Sequence, residues 1–305
     1  MSRTGTYFVL VNPAAGRGRR KARLRAYLDL LKSHIGPFEP AVTERAGDEV
    51  RLLDAALARG VERIVALGGD GTWSAAADRI VASGRRDVAL GLLPVGTGND
   101  FGKSIGVRHE RIEEVMRAIA ERTTRVVDVG RVGERYFLNV VGMGFDIAVI
   151  DDAATTPLLR GDFLYKFCAL KQLFRFPGSE LSIAADGGTP RKLRVLMLTV
   201  SNANYFGGSF HIAPRASLTD GKLDLVAIHD ASPAKRARLF SAVSKGAHET
   251  LEEVEFETAR SFAIHFDGTL RYEADGEVYS ATSPLVISAV PSALCVCAPR
   301  VEGAA

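Results

Sequence analysis

The sequence predicts a two-unit protein of the α/β class, in which a layered domain with a parallel sheet, residues 1–125, precedes a mostly antiparallel β domain, residues 126–305. Three observations predict it. Strand-length apolar runs alternate with helical-period segments in the first part, and Asp-Gly turns separate alternating segments in the second. A chain of 305 residues also suits two domains of roughly 150 each.

The first apolar run, Tyr7–Val11, is strand-length, and Asn12-Pro13 stops it. Leu24, Tyr27, Leu28 and Leu31 then recur at i, i+3, i+4 and i+7, the spacing that gathers side chains on one helix face. Pro40–Thr43, Ile64–Leu67 and Val88–Leu93 read as further strands. Trp73, Ala76, Ala77, Ile80 and Val81 form a second helical stripe, and Ile112, Val115, Met116 and Ile119 another. Strands alternating with helices of this length require crossover connections, hence a parallel sheet. From Arg125 onward helical stripes become scarce. Leu181–Ala185 runs into Asp186-Gly187-Gly188 and then Leu193–Val200, and Phe262–Phe266 runs into Asp267-Gly268 and then Leu270–Tyr272. Both read as hairpins. Helical insertions are expected near Phe163–Phe174 and Ala234–Lys245. With no repeat and no low-complexity linker, two domains packed around a ligand-binding cleft are the expected arrangement.

Composition removes several function classes. Lys plus Arg number 39 against 36 Asp plus Glu, a net +3 too even to nominate nucleic acid as a partner. Any basic surface must be local. Cys168, Cys295 and Cys297 cannot supply a disulfide framework, and small buried thiols of a cytosolic protein are the simplest reading. Tyr7–Val11 is too short for a signal-peptide core, and no run approaches the ~18–20 apolar residues of a membrane span. Ser2 stands where myristoylation needs glycine, and no CaaX cysteine ends the chain. A soluble, cytoplasmic protein that at most touches the inner face of a membrane is expected.

The strongest chemical signal is Gly68-Gly69-Asp70-Gly71-Thr72, directly after a strand and directly before a helical stripe. Glycines there let the chain turn and a ligand approach, while the following helix offers unpaired N–H groups and a positive dipole end. That is a phosphate site in design, and Asp70 suits Mg2+ or a neighbouring donor better than a bare phosphate. The plainer reading is a tight turn with Asp70 or Thr72 as helix cap. A second loop, Pro94-Val95-Gly96-Thr97-Gly98-Asn99-Asp100, follows the next strand, with Asn99 or Asp100 able to cap a helix near Phe101. A third, Asn12-Pro13-Ala14-Ala15-Gly16, follows the first strand. Three loops at the carboxyl ends of parallel strands converge on one sheet edge and favour a nucleotide. A P-loop motif is missing, and Gly16-Arg17-Gly18 lacks the third glycine of a dinucleotide fingerprint, which falls on Lys21.

Taken together, these loops with Asp220-Gly221-Lys222-Leu223 and Asp275-Gly276-Glu277 resemble the diacylglycerol kinase catalytic-domain family, which includes sphingosine and ceramide kinases. The resemblance runs over nearly the whole chain and is nearest to the short soluble bacterial lipid kinases. Its GGDGT element is shared with NAD kinases, whereas Pro94–Asp100 is the lipid-kinase form of the second loop. The resemblance implies an NAD kinase/diacylglycerol kinase-like nucleotide domain, ATP as phosphate donor, and an active site in the interdomain cleft. Position by position it implies nucleotide contacts from Asn12, Pro13, Ala14, Ala15, Gly16, Thr43, Gly68, Gly69, Asp70, Gly71, Thr72, Trp73, Ser74 and Thr97. Trp73-Ser74 departs from the family, which often has a small or aliphatic residue followed by Asn, and this bears on Ser74.

For the second domain the resemblance implies that Asp275 is the base for the acceptor hydroxyl, with Glu277 two residues on. The residues alone read Asp275-Gly276 as one more hairpin turn among five Asp-Gly pairs, and Asp267 is the rival base. It also implies a structural Mg2+ held by the Asp220 carboxylate and the backbone carbonyls of Ser217 and Lys222. Gly142–Asp146 matches a glycine-rich segment of the family without an assigned role. Arg17, Arg19, Arg20, Lys21, Arg23 and Arg25 put six cations in nine residues, either a solvated helix face or a contact for anionic headgroups. The expected activity is phosphorylation of a lipid hydroxyl by ATP, diacylglycerol first, with phosphatidic acid as product. A sphingoid base, phosphatidylglycerol or a glycolipid is the alternative acceptor; an NAD kinase and a non-catalytic nucleotide-binding module are further alternatives. Expected partners are a lipid at a membrane surface, an anionic bilayer met through Arg17, Arg19, Arg20 and Lys21, and a second copy of the chain in a homodimer.

Overall fold

Strand β1 (Tyr7–Val11) is buried from Phe8 onward, as a strand covered on both faces should be. The computed structural model describes residues 7–16, 20–155, 162–208 and 210–300. They divide into two units, one made of the chain up to Val129 and from Val290 onward, the other of Gly130–Ala289.

In the first unit β1 lies between β2 (Pro40–Val42) and β3 (Arg63–Gly68), and β3 pairs onward with β4 (Ala89–Pro94), every pairing parallel. Helices α1 (Arg20–Ile35), α2 (Asp48–Ala58) and α3 (Asp70–Ala82) make the crossovers, and α4 (Asp100–Ile105) and α5 (Ile112–Glu121) follow β4. The predicted stripes are the buried faces: Leu24, Tyr27 and Leu31 on α1, Trp73, Ala76, Ala77 and Ile80 on α3, Val115, Met116 and Ile119 on α5. Burial of each large side chain among these contributes about 1.5–3 kcal/mol.

β5 (Thr124–Val132) carries the chain into the second unit, whose strands pair antiparallel. They are β6 (Arg135–Phe137), β7 (Val140–Gly144), β8 (Ser179–Ala185), β9 (Arg191–Ser201), β10 (Leu223–His229), β11 (Val254–Ala259), β12 (Ser261–His265), β13 (Thr269–Ala274), β14 (Glu277–Thr282) and the first part of β15 (Leu285–Cys297). Their order is β14-β13-β7-β9-β8-β12-β15, with β10 between β9 and β11. One core gathers Phe137, Val141, Leu198, Val200, Leu225, Phe262, Ile264 and Ile287. A second gathers Met197, Val226 and Ile228 with residues of α6 (Phe145–Thr155), α7 (Asp162–Arg175) and α8 (Pro233–Ser244). The two expected helical insertions are α7 and α8; α6 had no apolar stripe to announce it.

Two expectations are corrected. β8 and β9 form the hairpin predicted around Asp186-Gly187, but β12 and β13 do not pair with each other. Both edges of β12 are taken by β8 and β15, while β13 lies between β7 and β14. The two-residue hairpin is instead Asp275-Gly276, where Ala274 pairs with Glu277 and both turn residues have positive φ, 49° and 89°. Secondly, residues 126–305 do not all belong to one unit. The end of β15 returns to the first, where Cys295–Cys297 extend the parallel sheet along Ala89–Gly91 of β4. A short apolar strand encodes its burial, not which strand edge it completes.

Cys168 and Cys297 are buried free thiols, and burial pushes Cys297 up to about 12. Among the described residues no helix is long and apolar enough to cross a membrane.

Candidate active site

The loops after β1, β3 and β4 are tied together by side chains. Asn12 follows the last residue of β1, and its amide group works in three directions: Nδ2 donates to Thr72 Oγ1 at 3.0 Å and to Glu49 Oε1 at 3.1 Å, while Oδ1 accepts the Ala14 N–H at 2.9 Å. This holds the Pro13–Gly16 3-10 turn against the start of α3. Pro13 and Ala14 are exposed there, and Ala15 is half-buried. Thr43 is buried, with its hydroxyl turned onto the Val11 carbonyl at 3.4 Å. Arg17 and Arg19 lie outside the described residues; Arg20 opens α1, and Lys21 is exposed on it.

The Asp70 carboxylate caps a helix other than its own. Its two carboxylate oxygens accept the N–H groups of Asn99 and Asp100, each at 2.6 Å, and so cap α4 from 30 residues away. Negative charge at that helix end is also favoured by the helix dipole. Asn99, at φ 51°, does not perform the capping expected of it, and the Asp100 carboxylate meets Lys103 Nζ at 2.7 Å. The two amides are neighbouring donors of the kind expected for Asp70. Close approach explains Gly96, where a Cβ would stand 2.6 Å from the Gly69 Cα. Gly71 is different: a Cβ there would meet nothing within 4 Å. Among the described residues, packing therefore does not require glycine at the first turn of α3, whose N-cap Gly69 makes no side-chain cap. Helix-start amides beside an open glycine suit an anion that comes close to the backbone. Trp73 is fully buried, so any nucleotide contact it makes is through its backbone. Ser74 is half-buried and Thr97 exposed.

In the second unit the Asp275 carboxylate is held by amides. Oδ2 accepts the Leu138 N–H at 2.7 Å, and Oδ1 accepts those of Asn139 at 2.8 Å and Val140 at 3.2 Å. Its own N–H donates to the Val140 carbonyl at 3.1 Å. Glu277 is exposed and receives the Tyr279 hydroxyl. Two further carboxyls lie by this turn, both missed by the sequence reading as site residues. Glu273, buried on β13, accepts the Gly276 N–H through Oε2 at 2.6 Å. The carboxyl of Asp146, buried at the start of α6, makes no hydrogen bond of ordinary geometry among the described residues, and burial pushes it up to about 7 against the pull of the Ile147 and Asp146 amides. A Cβ on Gly142 would stand 2.3 Å from Asp146 Oδ2 and 3.0 Å from Glu273 Oε1, so both carboxyls converge on the space that this glycine leaves. The only sequence signal was the glycine-rich segment containing Asp146.

Asp220 lies on an exposed turn before β10, and its Oδ1 accepts the Lys222 N–H at 3.0 Å. Ser217 lies three residues earlier on the same loop, and its hydroxyl is 3.4 Å from the Thr219 N–H. Among the described residues no three His, Cys, Asp or Glu side chains converge as a metal site. What Ser217, Asp220 and Lys222 offer is one carboxylate with backbone carbonyls, an oxygen set that fits a hard cation retaining several waters.

Comparison with known proteins agrees with this architecture. A family profile described as the diacylglycerol kinase catalytic domain matches residues 6–132, and one described as the YegS C-terminal NAD kinase beta sandwich-like domain matches residues 139–298. A diacylglycerol kinase of Mycobacterium tuberculosis is 31% identical over 301 residues, covering 97% of this chain and 96% of that one. A Chromohalobacter salexigens protein named "Probable lipid kinase YegS-like" is 30% identical over 268 residues, covering 87% and 84%. The crystal structure of a diacylglycerol kinase from Bacillus anthracis superposes with a TM-score of 0.73 at 20% identity, covering 98% of both chains. The chain belongs to the diacylglycerol kinase catalytic-domain family. Within it, the YegS-type second domain and the relatives together mark an enzyme of the diacylglycerol kinase-like lipid kinase class.

Proposed function

We propose that this enzyme transfers the γ-phosphoryl group of ATP to the hydroxyl of diacylglycerol at the inner face of the cell membrane, releasing phosphatidic acid and ADP. The observation that carries the nucleotide half is the uncapped start of α3 beside Gly71, a glycine that packing does not require. The loops that Asn12 and Asp70 lock together keep those amides in place before substrate arrives, which is the preorganisation phosphoryl transfer needs. The acceptor oxygen bonds to the γ-phosphorus as the bond to the β,γ-bridging oxygen breaks, and the hydroxyl proton passes to the Asp275 carboxylate. Three backbone amides fix that carboxylate in one position, as a base or proton orienter requires. Ser217, Asp220 and Lys222 would hold a Mg2+ that offsets charge and orders their loop.

The test is label transfer from γ-labelled ATP to diacylglycerol in mixed micelles. Asp275→Asn should lower the rate by about 10²–10⁴, the usual value of a positioned base. Transfer to no lipid hydroxyl by the unaltered enzyme defeats the proposal. The similarity to a YegS-like lipid kinase favours a second reading, in which the acceptor is another lipid alcohol, so a sphingoid base, phosphatidylglycerol and a glycolipid belong in the same assay.

A further inference from the structure

Helix α7 is apolar on two opposite sides. Its inner side, Cys168, Ala169 and Leu173, is buried in the core beneath it. On its outer side Phe167, Leu170 and Phe174 recur at i, i+3 and i+7, a single stripe, and are 45%, 58% and 60% exposed. A contiguous exposed apolar stripe of this kind marks a contact surface, so this outer stripe calls for an occupant. Phe240 of α8, 36% exposed, adds to the apolar surface of this helix layer.

Charge indicates what that occupant is. α8 packs against the end of α7, where the Arg236 guanidinium donates to the carbonyls of Leu173 and Phe176 at 2.9 and 2.8 Å. α8 carries Lys235, Arg236 and Arg238 and no acidic residue, but Arg236 is buried and paired with Asp230, which leaves Arg238 as its outward cation. Lys171 is paired with Asp152 and Lys235 with Glu253, but Arg175, next to Phe174, and Arg238 are exposed on their helix surfaces. An apolar stripe flanked by exposed cations matches the interfacial helices that lie in a lipid surface, with side chains among the acyl chains and arginines at the headgroups. Two copies of this chain meeting through the same face would instead bring like charges together.

We propose that the outer face of α7, with the cations Arg175 and Arg238 beside it, docks on an anionic lipid bilayer, the surface in which the acceptor lipid is presented. This rests on the lipid-kinase reading and goes beyond it by assigning the membrane contact to the second unit rather than to the basic run at Arg17–Arg25.

Sedimentation with vesicles tests it without any assay of activity. The enzyme should co-sediment with vesicles of phosphatidylcholine and phosphatidylglycerol far more than with phosphatidylcholine alone, and less as salt rises. The triple variant Phe167→Ser, Leu170→Ser, Phe174→Ser should lose at least tenfold in vesicle partitioning, and Arg175→Glu with Arg238→Glu should lose the salt-dependent part. Leu170→Ser alone, the mildest change, should reduce partitioning measurably with an unchanged thermal unfolding midpoint. Both multiple variants should phosphorylate a water-soluble short-chain diacylglycerol at the unaltered rate but vesicle-embedded diacylglycerol at least tenfold more slowly. Unchanged partitioning of the triple variant overturns the proposal, as does a triple variant that only converts a dimer to a monomer in sedimentation equilibrium. An enzyme that docks through α7 yet phosphorylates neither soluble nor embedded lipid leaves the docking surface standing and refutes the kinase reading instead.

Discussion

Asp146 shows how one side chain acquires chemistry from its surroundings. Its sequence neighbours, Gly142, Gly144 and Phe145, say only that the backbone passes closely there. Burial pushes its carboxyl from 3.8 to about 7, so the folded protein holds it protonated where the unfolded chain would ionise it. A raised value in the folded state means that its contribution to stability is present below the ordinary carboxylate range and is lost as pH rises to about 7. Asp146→Asn keeps the shape without the ionisation. The fall in denaturation midpoint between pH 5 and pH 8 should therefore be clearly smaller in this variant than in the unaltered protein, as read by urea unfolding at both pH values; equal falls would show that Asp146 is not the group responsible. Asp70 makes the same point in reverse. Its place in a GGDGT loop was legible, but its partners were not, because the amides of Asn99 and Asp100 come from another loop.

Between elements, the three glycines at 69, 71 and 96 separate what the fold requires from what a ligand requires. Gly96→Ala sets a Cβ against the Gly69 backbone, so the two loops must part. Both the thermal midpoint and ATP affinity should fall. Gly71→Ala meets open space in a helix, where alanine is favoured over glycine by up to ~1 kcal/mol. Its midpoint should hold or rise while ATP affinity, measured calorimetrically, drops at least tenfold; unchanged ATP binding would remove the phosphate site from the start of α3. Periodicity found α1, α3, α5, α7 and α8 because each buries a repeating stripe. The six-residue α4 is too short to show one and was expected from its cap residues instead, while α6 was passed over, because its buried Phe145, Ile147 and Val149 share its inner positions with Asp146 and Asp152. The Asp267-Gly268 hairpin failed for another reason: a turn signal states that the chain reverses, not that the flanking strands become neighbours.

For the whole molecule, β15 is decisive. The chain leaves the first unit near Val129 and comes back at Val290, so the end of the sequence completes the sheet that its beginning started. A chain ended at Ala289 strips Cys295–Cys297 from β4 and uncovers a parallel strand edge that is normally paired. It should lose cooperative thermal unfolding of the first unit by circular dichroism and should aggregate; a sharp, unshifted transition would show that the returning strand is dispensable. By itself the sequence determined the fold class, the order of strands and helices in the first half, the glycine loops at strand ends, and the family those loops belong to. All of these are encoded locally, in side-chain periodicity and in residues whose backbone freedom a turn demands. Only the tertiary structure decided which strand edges meet, that Asp70 caps a distant helix, that Asp275 is anchored on Leu138–Val140, and that Asp146 and Glu273 face each other across Gly142. Such contacts join polar groups 29 to 137 residues apart, and no periodic pattern records them, because the pattern specifies which face is buried and leaves the partner to packing.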